Sequence, residues 1–225
     1  MPVITRVGVV VPARDESRLL PRCLSALAVA GDHLRAASPG IELQIVVVLD
    51  SCIDDSAEIV RRHPGVVATA TTVGIVGAAR QVGVDHLART LDPDWFAVTD
   101  ADSAVPGDWL QRQVQIGSDG ADLVLGTVIP DGKEISPGRL TRWEQAHSNA
   151  DGHGHVYGAN LGFSRRALEV TGGFRALAVH EDVDLADRVK AAGLRWVATA
   201  GLPVLTSARM VGRTPDGFAG YLRAN

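Results

Sequence analysis

Residues 95–109 of the chain read WFAVTDADSAVPGDW, and this stretch decides how the fold is interpreted. An apolar run at residues 96–98 leads into Asp100 and Asp102, and turn-forming residues follow. The pattern predicts a buried strand whose carboxyl end delivers two carboxylates into a cleft. Residues two apart in an extended chain point to the same side, so both would face one hard cation, Mg²⁺ or Mn²⁺. A solvated turn that caps the next helix is the alternative for an isolated triplet.

Composition and charge narrow the class of protein. The chain has 225 residues, 46% of them apolar, which is enough for a sizeable core. The formal net charge of −4 is spread without a basic stripe, so nucleic acid is not an expected partner. Cys23 and Cys52 lie in different predicted elements and form neither a disulfide framework nor a metal motif, which fits a reduced compartment.

Targeting signals are not evident in the sequence. The first residues lack the basic region and cleavage site of a signal peptide, and no apolar run is long enough to span a bilayer. We therefore expect a cytoplasmic protein without an integral membrane segment. Peripheral docking at the inner membrane face stays open, because a membrane-bound substrate does not require a membrane-spanning enzyme.

Strand-like and helix-like segments alternate along the chain. Apolar, β-branched runs predict strands at residues 7–11, 41–49, 66–71, 123–129, 161–163, 195–198 and 204–205, besides the one before Asp100. Helical spacing is found at residues 19–27, 56–63, 77–91, 109–116, 140–149 and 183–192. This alternation predicts an α/β fold with a mostly parallel sheet, in one domain that covers residues 1–225.

Acidic residues follow three predicted strands in the first half of the chain. Asp15 and Glu16 follow the first strand, Asp50 follows the second, and Asp100 and Asp102 follow the strand at residues 96–98. In sheets of this class, ligands lie outside the carboxyl ends of the strands, so these acids are expected to converge on one crevice. Carboxylates suit a ligand with hydroxyl and ring N–H groups, or a ligand that is carried by a metal ion.

Six segments in order resemble family 2 of the glycosyltransferases. They are VVVPARDE at 9–16, VVVLDSCIDDS at 46–56, GAARQVGV at 77–84, DAD at 100–102, GANLGFSRRALEVTGGF at 158–174 and HEDVDLADRVKAAG at 180–193. The resemblance covers roughly residues 7–193 and implies the GT-A fold, a mixed, mostly parallel central sheet flanked by helices. It also implies a nucleotide-binding half at about 1–105 and an acceptor-binding half at about 106–206. The tail, residues 207–225, is expected to be mobile.

The family resemblance implies a reaction as well. A sugar would move from a nucleoside diphosphate sugar, UDP-linked by preference and GDP-linked next, to a hydroxyl acceptor, with inversion at the anomeric carbon. The acceptor would be a small molecule, a glycan or a lipid-linked compound. A divalent cation, Mn²⁺ or Mg²⁺, would stabilise the charge on the departing diphosphate. Direct displacement needs one general base but no enzyme nucleophile. Formation of a homodimer is left open.

Roles are carried over to matching positions in this chain. Asp100 and Asp102 would be the metal motif, and Asp182 would be the catalytic base with Glu181 beside it. The remaining predicted binding residues, at the nucleotide, its phosphates and the sugar floor, are Pro12, Arg14, Glu16, Asp50, Arg80, Ala101 and Asn160. Among these, Asp50 would accept a hydrogen bond from a base N–H.

The chain departs from the family pattern at several positions. The second-strand motif, commonly Asp-Asp-Gly-Ser, is Leu49-Asp50-Ser51-Cys52 here, which leaves the base contact undefined. Gln81 stands where Asn is common. The last histidine is His180, so no histidine after position 193 is present to be a third metal ligand.

Other interpretations stay open at the level of sequence. Glu181 and Asp182 begin a predicted helix and would also serve as caps. A non-catalytic sugar-nucleotide-binding protein of the same fold would share the pattern. A haloacid dehalogenase-type phosphatase also uses Asp-x-Asp, but after the first strand and followed by Thr or Val where this chain has Ala104.

Overall fold

The structure is a computed structural model that describes residues 3–147 and 150–210 and the single residues 212, 218, 220 and 222. Within this part of the chain, the strands are β1 Arg6–Ala13, β2 Glu42–Asp50, β3 Val66–Thr71, β4 Trp95–Val98, β5 Ser103–Ala104, β6 Leu123–Pro130, β7 Leu161–Ser164 and β8 Trp196–Thr206. The helices are α1 Leu20–Ala37, α2 Ser56–Arg61, α3 Val76–Thr90, α4 Trp109–Ser118, α5 Pro137–Ala146, α6 Arg165–Thr171 and α7 Glu181–Ala191.

The eight strands form one mixed sheet in the order β3-β2-β1-β4-β7-β6-β8-β5. Strand β1 pairs in parallel with β2 and β4, β2 pairs in parallel with β3, and β6 pairs in parallel with β8. Strand β7 is antiparallel to both β4 and β6, and β5 is antiparallel to β8. The predicted α/β fold with a mixed, mostly parallel sheet is confirmed.

The central strands are apolar because helices cover both faces of the sheet. In β1, Val7, Val9 and Val11 pack in the cluster that contains the buried leucines of α1. Val10 points to the opposite face and packs with residues of α3 and α7. A strand that is buried on both faces must be apolar at every position, which explains the unbroken run at residues 9–11.

The strand directions place the site. Strand β7 runs against both β4 and β6, so the carboxyl ends of β4, β6 and β8 share one edge of the sheet with those of β1 and β2. All of these ends therefore open towards the same side of the molecule, where α/β sheets bind ligands. The acidic residues that follow β1, β2 and β4 meet there.

Four elements differ from the sequence-based expectation. Helix α1 continues to Ala37, although helical spacing was predicted only for residues 19–27, because Ala30, Gly31 and Leu34 extend its buried face. Strand β8 is one strand of 11 residues where two short strands were expected, and a register irregularity at Gly126–Val128 keeps it paired with β6. Helix α6 was not predicted. Its signals are the Ser164 hydroxyl, which accepts a hydrogen bond from the Ala167 N–H at 3.0 Å, and Gly172, which ends the helix in the left-handed region. Ser103 was expected in a turn and lies in the short strand β5.

Helix α5 begins at Pro137 and ends at Ala146, while the expected end of this helix at position 149 lies outside the described residues. Most of the tail at 207–225, which was expected to be mobile, lies outside them too. The division of the chain into one domain with two halves stays a prediction. No helix in the described ranges is both long and apolar enough to cross a bilayer.

Candidate active site

A cavity of about 450 Å³ opens at the carboxyl edge of the sheet. It gathers residues from the ends of β1, β2, β4 and β8, from the start of α3 and α7, and from the loop before β7. The predicted site residues that line it are Pro12, Arg14, Glu16, Asp50, Arg80, Asp100, Ala101, Asp102, Glu181 and Asp182. Asn160 is the one predicted residue that does not line the cavity.

Asn160 is part of the core instead of the cavity floor. Its side chain is fully buried, donates to the carbonyls of Thr127 and Leu202, and accepts from the Trp109 indole N–H at 2.9 Å. These bonds join β6, β8 and α4. A buried amide without partners would be costly, so Asn160 is held by the fold. Its neighbours Gly158 and Ala159 do line the cavity.

Asp100 and Asp102 line the cavity just beyond the end of β4. The Asp102 carbonyl accepts hydrogen bonds from Arg22 at 3.0 Å and from the Ser207 N–H at 3.2 Å, which fixes the loop. Burial, together with the charge of Asp100, raises the pKa of Asp102 to about 6, although Arg209 opposes the shift. The two carboxylates repel each other, and a shared cation would relieve this repulsion.

Arg80 is a buried cation that joins the two halves of the site. Its guanidinium donates to Asp100 at 2.6 Å and to Glu181, and it lies 5.9 Å from the centre of the Phe174 ring. Only 3% of Arg80 is exposed, so the charge is almost completely removed from water. Burial lowers the pKa of Arg80, but the charges of Asp100 and Glu181 outweigh burial and raise it above its usual value.

Glycine is required where the backbone approaches these groups. A Cβ atom on Gly158 would overlap the guanidinium of Arg80, and a Cβ atom on Gly77 would lie 2.8 Å from the side chain of Glu181. Real Cβ atoms do not approach other atoms so closely. The two glycines therefore let α3 and the loop before β7 close around the Arg80–Glu181 pair.

Asp182 faces the cavity from the first turn of α7. One carboxylate oxygen accepts the Gly158 N–H at 2.6 Å, and the other accepts the Val183 N–H at 2.8 Å. No Arg or Lys bond to Asp182 is found among the described contacts, in contrast to Glu181. The capping interpretation and the catalytic interpretation are compatible, because the carboxylate lines the cavity while it holds backbone donors.

Backbone strain is concentrated around the same cavity. Four described non-glycine residues have positive φ, and three of them, Asp15, Ser51 and His180, border the site. They sit at the turns after β1 and β2 and just before α7. Such conformations cost of order 1–3 kcal/mol each and persist where the surroundings hold them. They direct the neighbouring acids Glu16, Asp50 and Glu181–Asp182 into the cavity.

The end of the cavity beyond Asp182 is aromatic. It is lined by Trp143, His147, Tyr157 and Phe218. The Trp143 ring stacks on His147 with 3.4 Å between centroids and meets the Phe218 ring edge-on at 5.0 Å. The described lining residues at this end include no Lys, Arg, Asp or Glu, whereas the other end holds most of the charge.

A second acidic group lies beside the cavity. Asp15, Cys52 and Asp54 each place one potential metal-ligand atom within 4.8 Å of the others. Backbone donors already occupy the two carboxylates: the Ile53 N–H bonds to Asp15 at 2.8 Å and the Ser17 N–H bonds to Asp54 at 2.8 Å. These bonds tie the turn after β1 to the turn after β2, which gives the group a structural role.

Comparison with known proteins identifies the family. The model of the family described as Glycosyl transferase family 2 matches residues 8–172. The chain belongs to glycosyltransferase family 2. This confirms the resemblance seen in the sequence motifs. No curated protein matches the sequence of this glycosyltransferase.

Solved structures share the fold of this glycosyltransferase. Residues 1–349 of S. aureus TarS align with a TM-score of 0.63 and 15% identity, over 91% of this chain and 61% of that chain. A longer TarS structure gives a TM-score of 0.67 and 15% identity, over 90% and 36%. Mannosyltransferase PcManGT from Pyrobaculum calidifontis, in complex with GDP-Man and Mn²⁺, gives 0.64 and 20%, over 97% and 60%. The chain spans about three-fifths or less of these proteins, and the likeness confirms the GT-A fold.

The oxygen ligands that Asp100 and Asp102 offer fit a hard divalent cation. Asp100 and Asp102 line the same cavity and offer carboxylate oxygens, which are the ligands that Mg²⁺ and Mn²⁺ prefer. Described lining residues include six carboxylates, Glu16, Asp50, Asp100, Asp102, Glu181 and Asp182, but three guanidinium groups, Arg14, Arg80 and Arg209. This excess of negative charge would repel a bare diphosphate.

Sequence reasoning missed Arg209 of the glycosyltransferase. Its guanidinium bonds to Glu16 at 2.7 Å and to Asp102 at 3.0 Å, so it lies at the centre of the predicted site. It was placed in the tail that was expected to be mobile. The position of Arg209 could have indicated this. Ligands of such sheets lie outside the carboxyl ends of the strands, and residues 207–209 directly follow the carboxyl end of β8.

Proposed function

We propose that this chain transfers a sugar from a nucleoside diphosphate sugar to a hydroxyl acceptor, by one displacement that inverts the anomeric carbon. The observation that carries the proposal is that Asp100, Asp102 and Asp182 line one cavity, between an acidic end and an aromatic end. The family supports sugar transfer in general. The donor, the acceptor and the role of each residue are the proposal.

Asp100 and Asp102 would hold a divalent cation, Mn²⁺ or Mg²⁺. When bound, the cation acts as a Lewis acid that stabilises charge on the departing diphosphate. PcManGT was solved with GDP-Man and Mn²⁺, which supports the same ligand classes here. We infer a UDP- or GDP-linked sugar. Glu16 and Asp50 line the same end of the cavity and would accept hydrogen bonds from the nucleoside.

Asp182 is the proposed general base. Its carboxylate lines the same cavity as Asp100 and Asp102, and the Gly158 N–H, next to Tyr157 of the aromatic end, holds one of its oxygens. From there it would take the proton of the acceptor hydroxyl as that oxygen attacks the sugar. Glu181 is bound to the buried Arg80, so its carboxylate is engaged, and we assign the base to Asp182 alone.

The acceptor is proposed to present an uncharged, apolar surface next to its hydroxyl. Trp143, His147, Tyr157 and Phe218 form the part of the cavity where it would lie. Aromatic walls gain free energy by covering apolar surface, and these four residues include no Lys or Arg that would balance a phosphate or carboxylate.

Thermal unfolding with candidate donors tests the proposal. A UDP- or GDP-sugar at about 100 times its Kd, with Mn²⁺, is expected to stabilise the folded chain by about 2.7 kcal/mol, which for this size raises Tm by roughly 5–10 °C. EDTA is expected to remove most of the shift, since the carboxylate excess then repels the diphosphate. If no nucleotide shifts Tm with or without Mn²⁺, the proposal fails. A shift without donor hydrolysis or transfer would indicate a non-catalytic binding protein.

An acceptor panel tests the aromatic end. Initial rates at one subsaturating concentration are expected to be higher for aryl and long-chain alkyl glycosides than for the matching methyl glycosides. Each buried CH₂ adds about 0.8 kcal/mol, so about two of them raise the rate roughly tenfold. Faster transfer to sugar phosphates than to uncharged acceptors would contradict this assignment.

A further inference from the structure

Arg209 has an anchored backbone and a side chain that reaches into the donor site. It follows β8 by three residues. The Ser207 N–H donates to the Asp102 carbonyl at 3.2 Å, while the Ser207 hydroxyl and the Ala208 N–H donate to Glu134 at 2.5 and 3.0 Å. The backbone that leads into Arg209 is therefore fixed beside the turn that contains Asp100 and Asp102.

The guanidinium of Arg209 connects two acids from different parts of the sheet. One terminal nitrogen bonds to a Glu16 oxygen at 2.9 Å, and the other bonds to the second Glu16 oxygen at 2.7 Å. The latter nitrogen also lies 3.0 Å from an Asp102 oxygen. Two parallel N–H···O bonds of this kind are among the stronger and more directional contacts in proteins.

This arrangement places a positive charge where a divalent cation would bind. Asp102 belongs to the predicted metal motif, and Glu16 borders the predicted nucleotide position. A guanidinium and a divalent cation on the same carboxylate repel each other at short range. The side chain of Arg209 is 25% exposed, so it has room to leave without disturbing the core.

We propose that Arg209 is the resident counter-ion of the donor-free site, which competes with the divalent cation for Asp102 and then binds the diphosphate of the donor. The first half of this inference rests on the proposed cation site at Asp102, and the second half rests also on the proposed diphosphate donor. Without donor, the single positive charge of Arg209 is shared between Glu16 and Asp102 and offsets part of their negative charge. When cation and donor bind, Glu16 is released for the nucleoside, and the guanidinium takes the nearest anion of matching geometry, a phosphate.

Competition with the cation and binding of the diphosphate predict effects of opposite sign in Arg209→Gln. Binding of Mn²⁺ alone, measured by the loss of the free Mn²⁺ EPR signal, is expected to be about tenfold tighter than in the wild type, because the competing charge is gone. Binding of UDP or GDP in saturating Mn²⁺, measured by calorimetry, is expected to be about tenfold weaker, because one phosphate contact is lost. An arginine with only a structural role would weaken both together.

Arg166→Gln is the matched control. Arg166 is a surface residue of α6, 71% exposed, and its ion pair with Asp122 at 3.8 Å lies at the opposite edge of the sheet. This variant loses the same charge and is expected to leave both affinities unchanged. Arg209→Lys keeps the charge but not the paired bonds, so its Mn²⁺ affinity is expected to lie between those of the wild type and Arg209→Gln. It also provides a second folded variant.

The outcomes separate this inference from the proposed function. The proposal that Arg209 competes with the cation is overturned if Arg209→Gln binds Mn²⁺ equally well or more weakly while its unfolding transition is preserved. Tighter Mn²⁺ binding with unchanged nucleotide binding overturns the transfer of Arg209 to the diphosphate. If the wild type binds neither UDP nor GDP, the proposed function fails, but the Mn²⁺ measurement still decides whether Arg209 competes.

Discussion

Replacing Asp182 with Asn is expected to lower the rate of sugar transfer by about 10²–10⁴-fold while the affinity for the donor stays near that of the wild type. Asn has nearly the same shape but cannot take a proton from a hydroxyl at neutral pH. Nucleotide binding does not involve this carboxylate in the proposed site. The measurement is single-turnover transfer at saturating donor, paired with calorimetric titration of UDP or GDP in Mn²⁺.

Asp187→Asn provides the control for this prediction. Asp187 lies on the same helix, α7, but is exposed and does not line the main cavity. The same chemical change there is expected to leave transfer near the wild-type rate. Near wild-type turnover in Asp182→Asn would instead show that the base is another group and that Asp182 only caps α7.

Replacing Arg80 with Gln is expected to destabilise the fold by about 3–5 kcal/mol. Arg80 is 3% exposed and balances the carboxylates of Asp100 and Glu181, of which Glu181 is 4% exposed. Removing the cation leaves a buried carboxylate without its opposite charge, and such a charge costs several kcal/mol in the interior. Urea unfolding followed by tryptophan fluorescence measures the loss, since the change in midpoint reports stability when the slope is constant.

Two further variants distinguish the cost of an uncompensated buried charge from the cost of lost side-chain contacts. Arg80→Gln combined with Glu181→Gln is expected to recover part of the loss, because the uncompensated charge is then gone. Arg166→Gln removes an exposed arginine whose ion pair with the largely buried Asp122 is long, 3.8 Å, and it is expected to change stability by less than about 1 kcal/mol. A loss below about 1 kcal/mol in Arg80→Gln would mean that water or a neighbouring group compensates Glu181.

The ion pair between the buried Arg80 and Asp100 links the stability of the fold to the proposed cation site. Asp100 is bound to Arg80 in the structure, so the metal motif is held in place from within the core. Loss of Arg80 would therefore affect cation binding as well as stability. The two acids differ in their partners: Asp100 pairs with Arg80, whose side chain is 4% exposed, and Asp102 pairs with Arg209, whose side chain is 25% exposed.

Local pattern was sufficient to predict most of the fold. The run before Asp100 identified β4, the run at residues 7–11 identified β1, and helical spacing located α3, α7 and the first part of α1. These signals lie within a few residues of each other, because strand and helix periodicities are short. The segment before Gly172 was missed because seven residues contain too little periodicity to reveal a short helix.

The site was partly predictable for a related reason. Acids after parallel strands meet at one edge, so Asp50, Asp100 and Asp102 were expected to share a crevice, and they line one cavity. Asn160 was assigned to the cavity from its motif and lies in the core, one position beyond the lining residue Ala159. The motif located the loop but did not determine which side chain of the loop points inward.

The sequence by itself determined the family, the α/β alternation and the acids at the strand ends, because each depends on short-range pattern or on motif order. Only the tertiary structure decided which charges neutralise one another. Arg80 pairs with Glu181 across 101 positions, and Arg209 pairs with Glu16 across 193. Long side chains meet such partners through the packing of separate elements, and the spacing of residues along the chain holds no information about that encounter.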